Sequence, residues 1–490
     1  MIPLGEWLPD QPPLNNPGVL VAKNCLPHAA GFLPMPAEEV YSTALDEYCR
    51  GAIFCRDASA NVYVLAGDKS KLQLLSTTLG WTDISSATYA SGAATTYSER
   101  WEFVQWGGDV FATNYHDPVQ SFTLGASTAT ALGGSPLQAR HIATARNFVF
   151  LADVQDNGGG NPNPTKIAWS ALNDPTSWTA SAATQADSET LRGSGGPIQR
   201  VFGGEYVIVF QEKAIWRMEY AGPPTVWQFD EIEPSIGLIA PGAAALASQD
   251  IYFLSERGFM VLRSGSRVEP IGAEKVDRFV LDDIDRTNLH RMSCVADSET
   301  HRVYWAYPAE TNTGGLCNRL IVYDFAIGRW SYSEQDTEQI LIAATPAYTL
   351  EGLDSVSTDL DALPVSLDDP AWNGGVSQLA KFDGDHKLSF FSGAAMAAQF
   401  EPRELQITPG RRTLLTAVRP LIDGGAVTVE IGCRQSQGDS VNWLPAAPVN
   451  TNGRATRRKN ARYHRLRLNV SGNWTHAQGF EVAGDAVGGR

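Results

Sequence analysis

The chain has 490 residues, of which 43% are hydrophobic and 19% are charged, and this composition excludes a disordered protein. Its formal net charge of −16 excludes a protein that grips nucleic acid with its whole surface, although a local basic patch stays open. The N-terminus has no basic and apolar signal regions, and no uninterrupted apolar stretch of about 18 residues occurs, so we expect neither a signal peptide nor a membrane anchor.

Six cysteines are scattered along the chain without a C-x-x-C pair. This pattern favours buried free thiols over disulfides or metal ligands. It also fits synthesis and assembly in a reducing cytoplasm. The cysteines are Cys25, Cys49, Cys55, Cys294, Cys317 and Cys433.

Residues 1–44 precede the first repeated unit, and we expect them to form an extended N-terminal arm. From residue 45 a strand–turn rhythm begins, as in "GAIFCRDASANVYVLAGDKSKLQLLSTTLGWTDIS", and "WEFVQWGGDVFATNYHDPVQSFTL" repeats it. The tryptophans near the ends of these units are separated by 97, 49 and 103 residues, close to two, one and two periods of about 50 residues. They are Trp81, Trp178, Trp227 and Trp330.

A period of about 40 to 50 residues with some four short strands is typical of a β-propeller blade. Alternating apolar residues such as Val207 and Val209 predict strands with one buried face. The fold prediction is therefore all-β, a propeller of about six blades over 45–402. The alternative to a propeller is another β-rich fold in which the regular spacing of the tryptophans arises by chance.

An acidic, Pro- and Ser-containing segment, 349–375, interrupts this rhythm and predicts a solvated insertion. A calcium site built from its aspartates is an open alternative, although their spacing matches no EF-hand loop. Those residues are Asp359, Asp361, Asp368 and Asp369.

Residues 403–490 predict a separate basic all-β domain, a sandwich-like platform with longer hairpin strands. Residues 403–467 contain 12 Arg and Lys against 4 Asp and Glu, a local net charge of +8, so the remainder of the chain sums to −24. Two uses of this charge are open: docking on acidic groups of a neighbouring subunit, or contact with a nucleic-acid backbone. The candidate contact residues are Arg454, Arg457, Arg458, Lys459, Arg462, Arg465 and Arg467.

Motifs for catalysis or cofactor binding do not occur. The sequence has no G-x-x-x-x-G-K-[ST], no G-x-S-x-G and no H-E-x-x-H. We therefore expect no enzyme, no cofactor and no catalytic or metal-binding residues. A carboxylate pair for glycoside hydrolysis stays open, because 54 acidic residues allow one to form on folding.

Three segments carry a family resemblance: "LGEWLPDQPPLNNPGVLVAKNCLPHAAGFLPMP", "KIAWSALNDPTSWTAS" and the stretch from "EYVIVFQEKAIWRMEY" to "VEPIG". They resemble the tail hub or nozzle proteins of short-tailed bacteriophages, also called packaged-DNA stabilisation or head-to-tail proteins. The resemblance implies a propeller with a platform domain in a six-fold homo-oligomeric ring below the portal and adaptor. Such a ring closes the DNA channel until ejection and carries fibres or spikes.

From this resemblance we expect a structural virion protein, made in the host cytoplasm and located in the phage tail. Its expected partners are further copies of itself (a homohexamer), portal and adaptor proteins, tail fibres or spikes, and genomic double-stranded DNA passing without sequence specificity. One alternative is a propeller enzyme or carbohydrate-binding tail component acting on the host envelope. Another is a cellular propeller that serves as an interaction scaffold.

Overall fold

The computed structural model describes residues 1–89, 100–156, 161–344, 357, 359 and 377–487. These residues form 38 β-strands, one α-helix (α1, Asp277–Asp283) and one 3-10 turn (Leu289–Arg291), which confirms the all-β class. The acidic segment 349–375 lies outside the described residues except for Ser357 and Asp359. Its interpretation as a solvated insertion and the calcium alternative therefore stay predictions.

Five short strands precede the first repeated sheet. They are β1 (Ile2–Pro3), β2 (Val19–Lys23), β3 (Cys25–His28), β4 (Gly31–Pro34) and β5 (Glu39–Ala44).

Five four-stranded antiparallel sheets follow, each made by one contiguous segment, and we number them blades 1 to 5. Blade 1 contains β6 (Gly51–Arg56), β7 (Val62–Gly67), β8 (Leu72–Leu75) and β9 (Trp81–Asp83), and blade 2 contains β10 (Glu102–Trp106), β11 (Asp109–Thr113), β12 (Gln120–Thr123) and β13 (Thr130–Ala131). Blade 3 contains β14 (Gln138–Ala145), β15 (Phe148–Asp156), β16 (Asn161–Trp169) and β17 (Asp187–Thr190). Blade 4 contains β18 (Ile198–Phe202), β19 (Val207–Gln211), β20 (Ile215–Gly222) and β21 (Val226–Glu233), and blade 5 contains β22 (Ala244–Ala247), β23 (Asp250–Ser255), β24 (Gly258–Arg263) and β25 (Arg267–Pro270).

Blades 6 and 7 complete the ring in two different ways. Blade 6 contains β26 (Ser293–Asp297), β27 (Arg302–Tyr307), β28 (Cys317–Asp324) and β29 (Arg329–Thr337). Blade 7 contains β30 (Gln339–Ala343), β31 (Gln378–Phe382) and β32 (Lys387–Phe390), and its outer strand is β5, which pairs with β32. A strand from the N-terminal region therefore closes the ring.

The innermost strands of the blades stand side by side around a central axis. Those of blades 1 to 4 contact one another in order, as do those of blades 5, 6, 7 and 1. Between blades 4 and 5, the rings of Phe210 and Phe253 meet with centroids 5.0 Å apart. The described residues thus form a closed seven-bladed propeller, which confirms the predicted architecture with seven blades where we expected about six.

The sequence did not predict the seventh blade, because the four strands of that blade are not consecutive in the chain. Residues 344–377 separate β30 from β31, and the outer strand comes from Glu39–Ala44, so no continuous unit repeats the rhythm. The expectation of one buried face per strand is also wrong for the second strand of several blades. In β15, every residue except Asp156 is buried, because a blade in the ring has a neighbour on each face.

The C-terminal region forms a curled sheet around two very long strands. Its strands are β33 (Ala398–Pro402), β34 (Arg412–Arg434), β35 (Asn442–Trp443), β36 (Ala447–Pro448), β37 (Ala455–Ala461) and β38 (Tyr463–Val487). β34 and β38 pair along their whole lengths, with irregular register near Gly424 and Gly425, whose φ values of 76° and 69° suit a glycine bend. Val418 and Ile431, one from each half of β34, are buried in the same hydrophobic core, as expected for a sandwich-like C-terminal domain.

This domain is joined to the propeller through one continuous sheet. β2 pairs in parallel with β29 of blade 6 and antiparallel with β33, and β33 pairs with β38. The same hydrophobic core contains Trp7, Trp330 and Leu466. The domain boundaries 1–44, 45–402 and 403–490 stay predictions, although Glu39–Ala44, which we assigned to the arm, lies in blade 7.

Candidate functional site

The seven predicted contact residues lie on two strands of the C-terminal sheet and in the segments that flank them. Arg454 precedes β37, the residues Arg457, Arg458 and Lys459 belong to β37, and Arg462 lies between β37 and β38. Arg465 and Arg467 are among the first residues of β38, where this strand pairs with β34. At these positions both strands pair with β34, but with different halves of it, and the environments of the seven residues differ.

Arg465 and Arg467 are neutralised inside the chain. The carboxylate of Glu401 on β33 is 3% exposed and accepts hydrogen bonds from both guanidinium groups, from Arg467 at 3.4 Å. Arg467 also donates to Glu430 on β34 at 3.1 Å and lies over the Trp443 ring, 4.3 Å from its centroid. These two arginines are thus part of the sheet's internal structure.

The remaining arginines form what we call the basic edge: Arg454, Arg457, Arg458 and Arg462. All four side chains are exposed, and none is in an ion pair with a described residue. β37 pairs only with β34 among the described strands, so its other edge presents free backbone groups. Charge on such an edge can discourage strand addition, or it can select an acidic partner.

Sequence reasoning missed the acidic partners of the two neutralised arginines, and it also missed a separate ion-pair network between β2 and blade 6. Lys23 on β2 is ion-paired to Glu334 on β29, which also pairs with Arg319 on β28. Arg319 in turn donates to Asp283 of α1 at 3.2 Å. Because Glu334 and Glu401 are distant in the sequence from most of these cations, only strand pairing shows that they meet.

A second buried polar cluster lies on the innermost strands of blades 2, 3 and 4. Glu102 accepts from His141 at 2.9 Å and from Arg200 at 2.8 Å, and it is 5% exposed. Burial raises the pKa of the Glu102 carboxyl, but Arg200 and His141 outweigh this effect and hold the pKa at about 2. The carboxylate therefore ties three blades together through charge.

Glu338, between blades 6 and 7, is a buried carboxyl whose pKa is shifted in the opposite direction from that of Glu102. It is 2% exposed, and it accepts from the backbone N–H of Cys49 at 2.8 Å and contacts Nδ1 of His386. Burial raises the pKa of Glu338 to about 7. This carboxyl therefore gains and loses its proton near neutral pH.

Two cavities open on opposite faces of the propeller. We call the face where the innermost strands begin the entry face, and the face where they end the exit face. On the exit face a shallow cavity of about 550 Å³ is lined by Trp106, Arg146, Asn147 and Asn173. On the entry face a cavity of about 270 Å³ lies between blades 2, 3 and 4, beside Arg140 and Gln199.

In the described part of the chain, no group of three or more His, Cys, Asp or Glu side chains is placed to hold a metal ion. Within those same residues, no helix has the length and apolar character needed to cross a bilayer. All six cysteines are free, and all except Cys294 are buried, as expected for structural thiols.

No protein-family model and no curated protein matches the sequence. Among solved structures, the chain is similar to the WD40 repeats of RRP9, with 7% identity, coverage of 73% of this chain and 98% of that chain, and a TM-score of 0.42. It is also similar to the Neurospora crassa Pan2 WD40 domain, with 7% identity, 73% and 88% coverage and a TM-score of 0.37. The computationally designed Ika8 protein gives 9% identity, 73% and 100% coverage and a TM-score of 0.38. Similarity this distant carries no argument about activity or partners.

Proposed function

We propose that the chain is a structural protein of a bacteriophage tail, forming the hub or nozzle ring below the portal and adaptor. The observation that supports this most is the separation of charge along one continuous body. Residues 403–467 carry +8 and the remaining residues −24, while the propeller and the C-terminal sheet share strands and a hydrophobic core. Such a body combines a basic edge with an otherwise acidic remainder in one continuous fold.

Opposite charges on one chain suit head-to-tail contacts between identical copies. In a heterologous contact, the basic edge of one copy docks on an acidic surface of the next, and the series closes if the rotation per copy divides a full circle. Arginine suits this role because its guanidinium pairs with carboxylates through two parallel hydrogen bonds. The ring is the assembly that the family resemblance implies.

The acidic remainder fits passage of DNA through such a ring. A negatively charged wall repels the phosphate backbone, so DNA moves without being held by sequence-independent ion pairs. In this role the chain closes the channel until ejection and offers docking surfaces to portal, adaptor, and fibres or spikes. Its location is the virion, after assembly in the host cytoplasm.

Native mass spectrometry tests the proposal with the full chain, alone and with the portal–adaptor complex encoded in the same genome. We expect a ring of several copies, six by the family resemblance, on the complex or in isolation. A chain that stays monomeric in both conditions contradicts the proposal.

The contact itself is tested by charge reversal at the basic edge, in the triple variant Arg457→Glu, Arg458→Glu and Arg462→Glu. We expect this variant to fold and to lose ring formation. A matched control reverses three exposed arginines of the propeller, Arg192→Glu, Arg257→Glu and Arg267→Glu. This control carries the same change in net charge and should still form rings.

A further inference from the structure

The cavity between blades 2, 3 and 4 on the entry face is built around a charged pair and a stacked ring. The guanidinium of Arg140 lies over Tyr115, 4.2 Å from the ring centroid, and its Nε donates to Oδ2 of Asp153 at 2.6 Å. Gln199 and Glu212 line the same cavity, whose volume is about 270 Å³. Five side chains from three blades therefore converge on one space: Tyr115 from blade 2, Arg140 and Asp153 from blade 3, and Gln199 and Glu212 from blade 4.

The backbone is distorted to place one of these groups. The register of β15 against β16 shifts between Ala152 and Val154, and the intervening Asp153 has φ of 52°, the left-handed region that residues with a side chain rarely adopt. Bulges of this kind re-aim a side chain, and strained residues of this kind concentrate at binding sites. Here the bulge holds a carboxylate, 4% exposed, against Arg140.

Two buried polar atoms at this cavity have no hydrogen-bond partner in the structure. One is Nη1 of Arg140, a donor, and the other is Oε1 of Gln199, an acceptor. Gln199 is 4% exposed, and its Nε2 donates to Glu212 at 3.4 Å, which fixes the orientation of the amide. Buried polar groups without partners are unfavourable, so their presence beside a cavity points to a ligand with both an acceptor and a donor.

The charge at the cavity excludes several ligand classes. Asp153 neutralises Arg140, and Glu212 adds a further negative charge, so the local balance of −1 disfavours phosphate and other anions. Neutral hydroxyl groups remain as the candidate ligand groups, because each hydroxyl can both accept a hydrogen bond from Arg140 and donate one to Gln199. The walls contributed by Pro162, Pro164 and Pro197 are apolar and suit the C–H face of a sugar ring.

We propose that this cavity binds one neutral sugar residue through neighbouring hydroxyl groups. One hydroxyl oxygen accepts from Nη1 of Arg140, and a hydroxyl donates to Oε1 of Gln199 or to the carboxylate of Glu212. The cavity volume is near the lower end of the range of about 300–1,000 Å³ for small-molecule pockets, which suits one ring better than an oligosaccharide. This site goes beyond the proposed tail role and does not depend on it.

Saturation-transfer NMR on the full chain tests the proposal with five probes at millimolar concentration. The probes are D-glucose, D-galactose, D-mannose, L-rhamnose and N-acetyl-D-glucosamine. We expect transfer to at least one sugar, with an affinity that falls about tenfold in Gln199→Leu, since one hydrogen bond is lost. The control Gln228→Leu, an exposed glutamine on the outer strand of blade 4, should bind as the unchanged chain does.

A second variant keeps the test decisive if Gln199→Leu fails to fold. Glu212 is exposed, so Glu212→Ala should fold and should also weaken binding of the same sugar. Absence of transfer to all five sugars overturns the proposal, as does equal transfer in a folded Gln199→Leu variant. Displacement of the bound sugar by inorganic phosphate also overturns it, because that result identifies an anion site.

Discussion

Glu401 on β33 and Arg467 on β38 are ion-paired across 3.4 Å, with the carboxylate almost completely buried. The same carboxylate also pairs with Arg465. Arg465 and Arg467 are therefore neutralised within the sheet, whereas the arginines of the basic edge are exposed and available for contacts with other molecules.

We predict that Glu401→Ala destabilises the C-terminal sheet. The change leaves two partly buried guanidinium groups with fewer partners, and removal of one partner of a buried pair costs about 3–5 kcal/mol. Because the two arginine side chains are 24% and 29% exposed, we expect a smaller loss, about 2 kcal/mol, in urea unfolding.

Glu481→Ala is the control for this prediction. Glu481 is 47% exposed and its carboxylate lies 3.7 Å from Arg419, so its loss should cost less than about 1 kcal/mol. Equal effects of the two substitutions would show that Glu401 does not serve as the centre of the network.

Much of the propeller followed from the sequence because most of the blades are contiguous. Trp81, Trp227 and Trp330 lie in the outer strands of blades 1, 4 and 6, which explains their spacing. Trp178 lies outside a strand, in the connection between β16 and β17, and matched the period without sharing that position.

What the sequence could not predict depends on contacts between distant segments. The pairing of β5 with β32 joins residues more than 300 positions apart, and no local sequence pattern predicts this pairing. Likewise, Leu466 is buried and the neighbouring Arg467 is on the polar face of β38, but the partners of Arg467 come from the distant strands β33 and β34. The cavity beside Arg140 required three blades to be placed together.

We predict that Tyr41→Ala opens the ring at blade 7. Tyr41 on β5 is 1% exposed and packs edge-to-face on Phe390 of β32, with centroids 5.1 Å apart. Removal of a buried aromatic side chain costs about 3–5 kcal/mol. Hydrogen exchange should accelerate in β5 and β32 first, because β5 is the closing strand.

Val40→Ala provides the control on the same strand. Val40 is 40% exposed on the other face of β5, so its truncation should change stability by less than about 1 kcal/mol. If both substitutions accelerate hydrogen exchange equally, the packing of Tyr41 is not what closes the ring.

We predict that the native chain reacts slowly with Ellman's reagent. Burial raises the pKa of Cys55 and of Cys317 to about 12, so both thiols are protonated at neutral pH as well as shielded. Burial also raises the pKa of Cys294, the one cysteine with partial exposure. Six equivalents should react after denaturation, and rapid reaction of several thiols before it would contradict the packing described.

The stability of the chain should fall as pH rises through the range in which Glu338 loses its proton. The pKa of this carboxyl is about 7 in the folded chain and 4.5 in its unperturbed state, so the folded state holds a proton that the unfolded state releases. Linkage then makes the free energy of unfolding decrease between about pH 4.5 and 7, by on the order of 3 kcal/mol, and level off above pH 7.

Glu338→Gln isolates this contribution. A glutamine resembles the protonated carboxyl: its oxygen can accept from Cys49 N–H, while its amide can donate to Nδ1 of His386. In urea unfolding at pH 5, 6 and 7, the variant should lack the decrease and should be more stable than the unchanged chain above pH 7. Glu231→Gln, at an exposed position on blade 4, should keep the original dependence. Parallel curves for the unchanged chain and Glu338→Gln would mean that Glu338 is already ionised in the folded ring at pH 5.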